Sequence, residues 1–288
     1  MIGAALAAVL LSPVPGGVEV KIDGKAFTTY RYANPDGKAV LRPFLFPVLA
    51  DDGTPLTSDQ AQAAGDHPHH RSIWIGHGSV NGTDHWGTLE GPAQRPLGPP
   101  TLQGDSLTQI LNWEDKQHAS LLRETRTFRY GSLQDAIRVM DLTLSLAAIN
   151  QNVVLGDTKE AGLVAIRMAA ALSKNPLISA SSGCQDEPEC WGKAAVWCDF
   201  SSQLDKGIYG IAVLDHPENP RYPTRWHVRA YGLLAANPFG LSAFDKSPPG
   251  TGDLVLKTGA PVVFRHRILI HRGVLASKQL DQFSAKFG

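Results

Sequence analysis

Apolar and polar side chains alternate with a period of two in segment after segment of this chain, and that period belongs to strands buried on one face. It runs through Val18–Ile22, Leu122–Tyr130, Arg138–Leu146, Gly162–Met168, Ile208–Leu214 and Val262–Ile270. Turn sequences such as Pro35-Asp-Gly37, Asp52-Gly53 and Gly250-Thr-Gly252 punctuate the chain between strands. Only the final stretch, Ser277–Phe287, has helical spacing, with Leu280, Phe283 and Phe287 on one face. Many strands joined by loops of unequal length predict an all-β fold, a large antiparallel β-sandwich with a short C-terminal helix. There is no internal repeat to support a propeller or solenoid, and no compositional break marks a linker. Residues 17–288 therefore read as one β-sandwich domain.

Charge and hydropathy narrow the partners. The 27 basic and 27 acidic residues cancel and are interspersed, so no clustered positive face is offered to nucleic acid. No apolar run approaches the ~20 residues of a membrane helix. Residues 1–16 are apolar and end in small residues and prolines, resembling a truncated signal segment that lacks its basic end, since the first basic residue is Lys21. That reading places the protein in the periplasm or outside the cell. A Cys184–Cys190 disulfide within GCQDEPEC fits export and leaves Cys198 as the odd thiol; three reduced cysteines are the alternative.

The densest chemistry lies in GDHPHHRSIWIGHGSVNGTDHW, residues 65–86, where His67, His69, His70, His77 and His85 fall close together. Histidine exchanges protons near neutral pH and its ring nitrogens ligate metals, so the cluster points to a site rather than to turn-building alone. If Ser72–His77 is a strand, Ile73, Ile75 and His77 share one side and Trp74 takes the other. A second segment, Asp215–Gly240, combines Arg225, Trp226, His227 and Arg229 with several prolines, and an extended Arg225–Arg229 puts Arg225, His227 and Arg229 on one face. Flat apolar rings beside forked donors suit a polyhydroxylated ligand. A shorter loop, GDTKEAG, adds Asp157, Lys159 and Glu160. GxSxG, Walker and GxGxxG motifs are all lacking.

The stretches GDHPHHRSIWIGHGSVNGTDHW, GDTKEAGLVAIR, CWGKAAVWCDFS and DHPENPRYPTRWHVRAYGLLAANPFG, ending in FRHRILIHRG, together resemble a bacterial family labelled PmoA-like after a methane-oxygenase subunit. The resemblance runs from about Tyr30 to Gly273, and the Cys184–Cys190 insert departs from it. The label does not suit a chain without a membrane span. What the resemblance implies is a supersandwich of the galactose mutarotase-like kind and a link to sugar catabolism, with no catalytic role carried over residue by residue.

These observations join in one reading: a carbohydrate-active enzyme acting on a small-molecule sugar by proton transfer, as an epimerase, a lyase or a hydrolase. His77 and His227 are the acid/base candidates and Glu160 the carboxylate partner. Arg71, Arg225, Arg229, Asn81 and Asp84 are the candidates for holding oxygen atoms, and Trp74 and Trp226 for a stacking wall. One divalent metal ion held by some of His67, His69, His70 and His77 is a sub-reading. Its rivals are a non-catalytic carbohydrate-binding protein and a metal-dependent oxygenase, as the label suggests. A single site requires that the fold bring the separate segments together.

Overall fold

The structure, a computed structural model, describes residues 8–63, 67–133 and 137–288. In chain order its strands are β1 (Val9–Val14), β2 (Gly17–Ile22), β3 (Lys25–Ala33), β4 (Ala39–Val48), β5 (Ile73–His77), β6 (Ala93–Pro96), β7 (Thr101–Gln103), β8 (Ser106–Glu114), β9 (Ser120–Ser132) and β10 (Arg138–Ala148). They continue as β11 (Val153–Leu155), β12 (Ala161–Arg167), β13 (Pro176–Ala180), β14 (Trp197–Leu204), β15 (Gly207–Asp215), β16 (Trp226–Arg229), β17 (Leu233–Ala236), β18 (Leu254–Leu256) and β19 (Val262–Arg272). Helices are short: α1 (Gln60–Ala63), α2 (Asp186–Cys190), α3 (Leu241–Phe244) and α4 (Ser277–Ala285).

Two large antiparallel sheets form the predicted sandwich. The first has eight strands in the order β1-β2-β3-β4-β5-β12-β17-β16, and the second nine, β13-β14-β15-β19-β10-β9-β8-β6 with β7 beside β8. Alternation decides which side chains enter the space between them. On β2, Val18, Val20 and Ile22 are buried while Glu19 and Lys21 are partly exposed. Leu142, Leu144 and Leu146 of β10 do the same from the opposite sheet. Part of the outer face of the nine-stranded sheet is covered by α4, whose Leu280 packs with Val139, Trp197 and Leu269. Val9–Val14 of the opening apolar stretch is an edge strand paired with β2, and residues 1–7 lie outside the described residues. Among the described residues no helix is long and apolar enough to cross a membrane.

One inward row breaks the apolar rule. On β9 the buried positions are Leu122, Glu124, Arg126, Phe128 and Tyr130, so an acid and a base occupy core slots, each fully buried. Arg126 meets Glu124 through its Nε and NH2 groups, donates NH1 to the Pro43 carbonyl at 3.1 Å and NH2 to Gln94 Oε1 at 2.9 Å. Gln94 Nε2 in turn donates to the Ile75 carbonyl at 2.8 Å, and Trp113 Nε1 donates to Glu124 Oε2 at 2.7 Å. These bonds tie β6, β8 and β9 of one sheet to β4 and β5 of the other. Removing one partner strands the other charge in the core, so Glu124→Ala is expected to cost about 3–5 kcal/mol in urea unfolding, whereas a loss under about 1 kcal/mol would show the network to be marginal.

Candidate functional site

The outer face of the eight-stranded sheet carries a row of directly paired residues. Phe44 of β4 faces Trp74 of β5, Trp74 faces Ala165 of β12, Ala165 faces Ala235 of β17, and Ala235 faces His227 of β16. Adjacent strands lie about 4.8 Å apart, so the two alanines open a shallow floor about 14 Å long between the indole and the imidazole. In the next row, Gly76 pairs with Gly162. A Cβ on Gly162 would sit 3.1 Å from the Trp86 ring and 2.8 Å from Ala165 Cβ, so the missing side chain is what lets Trp86 lie over the sheet.

The walls come from three separated segments. Together they enclose a cavity of about 390 Å³ lined by His67, His69, His70, Asp84, Trp86, Thr158, Lys159, Glu160, His227, Arg229 and Tyr231, with Gly78 and Gly87. The histidine-rich segment, the GDTKEAG loop and the β16–β17 hairpin therefore meet at one place. Its first wall is an aromatic column. Tyr231 stacks on His67 at 4.9 Å, His67 on His70 at 4.8 Å, and His70 on Trp74 at 5.0 Å. Arg167 lies over Tyr231 at 4.9 Å and its NH1 is 3.3 Å from His70 Nδ1. Among the described residues no group of three or more His, Cys, Asp or Glu side chains is arranged to hold a metal ion. His67 and His70 lie face to face, with His69 edge-on to both.

The opposite wall is built around His227. Its Nδ1 lies 2.8 Å from the Lys159 carbonyl oxygen. A carbonyl can only accept, so Nδ1 carries the proton and Nε2 is left as the basic nitrogen. Asn237 holds that carbonyl in place, donating its Nδ2 to the Thr158 and Lys159 oxygens at 3.0 and 2.9 Å while its Oδ1 receives the Phe239 and Gly240 amides. Burial lowers the His227 pKa from its ordinary 6.5 to about 4, and the nearby Glu160 charge opposes that shift. His69 is also lowered, mainly by burial and by the Arg42 guanidinium. Both rings are held toward their neutral forms at pH 7. Asp84 spends Oδ1 on the Trp86 and Gly87 amides, Lys159 pairs with Glu160 at 3.1 Å, and Arg229 pairs with Glu187 of α2 at 2.8 Å.

Several sequence candidates lie elsewhere, and the period of two explains most of them. His77 shares a face with Ile73 and Ile75, and that face is the interior; its ring meets Phe239 edge-on at 4.7 Å, and Nδ1 accepts the Ser79 amide. Trp226 alternates with His227 and so enters the core, donating Nε1 to the Ala195 carbonyl. Trp74 faces the site but is buried beneath His70 and Trp86; Trp86, itself only 1% exposed, is the indole that borders the cavity. Arg71 is held by both oxygens of Asp59 and lies over Phe44. Arg225 is paired with Asp245 and the Gly192 carbonyl, and Asn81 ties its loop to β11 by accepting the Val154 amide. Tyr231 and Glu187 were missed. Tyr231 sits in the hairpin turn after β16, while Glu187 is brought near by the Cys184–Cys190 disulfide segment, which packs along edge strand β16 through bonds between Gly192, Lys193 and Trp226. Cys198 is the free, buried thiol.

The fold and site together define a large antiparallel β-sandwich with a histidine- and carboxylate-lined cavity on the outer face of one sheet. Within that class the chain belongs to the family of unknown function DUF6807, which it matches over residues 17–285. No curated protein matches it in sequence. Solved structures similar to it include a putative aldose 1-epimerase from Escherichia coli K12, 13% identical, covering 93% of this chain and 100% of that one with a TM-score of 0.41. Another is the heparan sulfate lyase HepC from Pedobacter heparinus, 7% identical, covering 93% of this chain and 37% of that one, also with a TM-score of 0.41. A galactose mutarotase related enzyme from Lactobacillus acidophilus is 10% identical, with 93% and 100% covered and a TM-score of 0.37.

The buried histidines set a pH response. Burial lowers His77 from 6.5 to about 3 and His85 to about 4, alongside His227 at about 4. Their unfolded forms take up protons at higher pH than their folded forms, so the stability they contribute is complete above about 6.5 and drains as pH falls toward 4. His271, raised by its bond to Asp199, works in the opposite direction. With His69 and His216 also lowered by burial, five against one predicts a melting temperature that falls steadily from pH 7 to pH 4. A His85→Leu variant should show a shallower decline over the same range, and an identical slope would remove His85 from this account.

Proposed function

We propose that the cavity is the active site of a carbohydrate-active enzyme that moves protons on a sugar, as an epimerase or a lyase, with His227 as the base. The observation that carries this reading is the His227 Nδ1–H bond to the Lys159 carbonyl. It fixes one tautomer in a ring that lines the cavity, as a general base requires. Asn237 holds the acceptor from behind, so the ring is positioned before any ligand arrives. Glu160, on the same loop, is the carboxylate partner that favours the imidazolium formed when His227 takes a proton. Across the cavity, His69 is the second group able to exchange a proton, and Asp84 offers a carboxylate to sugar hydroxyls. Trp86 and Tyr231 give that wall an apolar lining against which the C–H groups of a sugar can pack. The Cys184–Cys190 disulfide supports an oxidising compartment for the protein.

The test is a panel of aldoses and uronates incubated with the protein in D2O and followed by proton NMR. Conversion or deuterium incorporation is expected with at least one sugar, with an acid limb near pH 4, where His227 gains its second proton. His227→Ala should lower the rate about 10²- to 10⁴-fold with its melting temperature close to the parent's. Sugar binding without conversion by the unaltered protein would instead identify a non-catalytic binding protein, for which the same variant weakens affinity.

A further inference from the structure

We propose, on the footing of the carbohydrate reading, that the cavity selects an uncharged sugar over the corresponding uronate or sugar phosphate. Among the described residues its lining holds two cations, Lys159 and Arg229, and two carboxylates, Asp84 and Glu160. Each cation already has a carboxylate: Lys159 Nζ is 3.1 Å from Glu160 Oε1 and Arg229 Nε is 2.8 Å from Glu187 Oε1. An anionic ligand that reaches either cation therefore also meets the carboxylate already beside it.

The Arg229 pair is the harder to break. Glu187 is held twice, since its Oε2 also accepts the Ala230 amide at 2.6 Å. It stands on α2 inside the loop that the Cys184–Cys190 disulfide closes, six residues apart in sequence. The Gly192 amide and carbonyl fasten that segment to the Trp226 carbonyl and to Arg225. Glu187 is thus fixed to the edge of the sheet that carries Arg229, and turning its side chain away would strand a backbone amide. Burial holds the His69 and His227 imidazoles toward their neutral forms, so these two rings add little positive charge at pH 7. The groups left to a ligand are ring nitrogens, the Thr158 hydroxyl, carboxylate oxygens and the apolar borders formed by Trp86 and Tyr231. These match hydroxyl groups and C–H faces, not a carboxylate or a phosphate.

This choice separates the two chemistries. Removing a proton next to a sugar carboxylate, as lyases of acidic polysaccharides do, places further negative charge on that group and calls for a positive charge there. The paired cations of this cavity do not offer it. Proton transfer on a neutral sugar, as in epimerisation, has no such demand.

Matched probes test the proposal: methyl β-D-glucopyranoside against methyl β-D-glucuronide, and D-galactose against D-galacturonate, with affinities read by ligand-observed NMR titration at pH 7. The neutral member of a pair is expected to bind at least tenfold more tightly. Glu187→Gln keeps the shape of the side chain but releases Arg229, and it should narrow or reverse that preference by strengthening uronate binding. Glu160→Gln, which releases Lys159 on another wall, should act in the same direction and serves if Glu187→Gln fails to fold. A uronate that binds the unaltered protein as tightly as its neutral partner overturns the proposal and leaves the carbohydrate reading standing. An unchanged preference in both variants overturns it too, because ion pairing would not be its cause. Failure of every probe to bind overturns the carbohydrate reading itself, and the proposal with it.

Discussion

Glu124 and Arg126 sit in an inward row of β9 where leucines would be expected, and the relation between the two sheets hangs on them. A charge in a protein interior is tolerated only when its attractions and hydrogen bonds replace those it had with water. Arg126 meets that demand by reaching across the sandwich to the Pro43 carbonyl and, through Gln94, to the Ile75 carbonyl. An apolar core would hold the sheets together with little preference for how they slide over one another. Directional bonds to two named carbonyls fix where β4 and β5 lie above β9. Because β5 supplies Trp74 and leads into the Trp86 segment, the same bonds set the position of one wall of the cavity on the far face.

The site is a consequence of register. Trp74, Ala165, Ala235 and His227 belong to one row because each is paired across a strand boundary with the next. A slip of one residue in the pairing of β16 would exchange His227 for Trp226, removing the imidazole from the cavity and the indole from the core. Two features oppose such a slip: the Trp226 indole donates to the Ala195 carbonyl inside, and the His227 ring donates to the Lys159 carbonyl outside. The alanines and glycines between them are equally necessary, since any larger side chain at Gly162 meets Trp86.

Much of the fold was legible because alternation is a local signal. The segments read at Val18–Ile22, Arg138–Leu146 and Val262–Ile270 are strands β2, β10 and β19, and the helical spacing at the C-terminus is α4. The joining of the histidine-rich, GDTKEAG and Arg225–Arg229 segments is visible in composition only as a coincidence of residue types. Their meeting follows from the strand order β5-β12-β17-β16, a non-local fact that no single segment encodes. His77 and His227 were both acid/base candidates, and that only His227 borders the cavity was not legible for a related reason. Alternation gives two faces to every strand, but not which of them is buried when both carry aromatic and titratable residues. Glu124 and Arg126 were hidden in the same way, as apparent polar members of an alternating run whose inward row they in fact occupy.

Burial governs the electrostatics of the cavity as well as its shape. A half-buried pocket makes a lone charge costly, so natural sites either pair their charges or neutralise them. This one does both: Lys159 and Arg229 have carboxylate partners, while His69 and His227 are pushed toward their neutral forms. A neutral imidazole with one nitrogen committed to a carbonyl is a poor anion receptor and a serviceable proton acceptor. The two properties have one origin, the withdrawal of water from a wall of aromatic rings and backbone carbonyls. A ligand that brings hydroxyl groups loses little in entering such a place, because each can both donate and accept. A ligand that brings a full charge must find a counter-charge, and the pairs already formed here leave it to compete with carboxylates fixed by the fold.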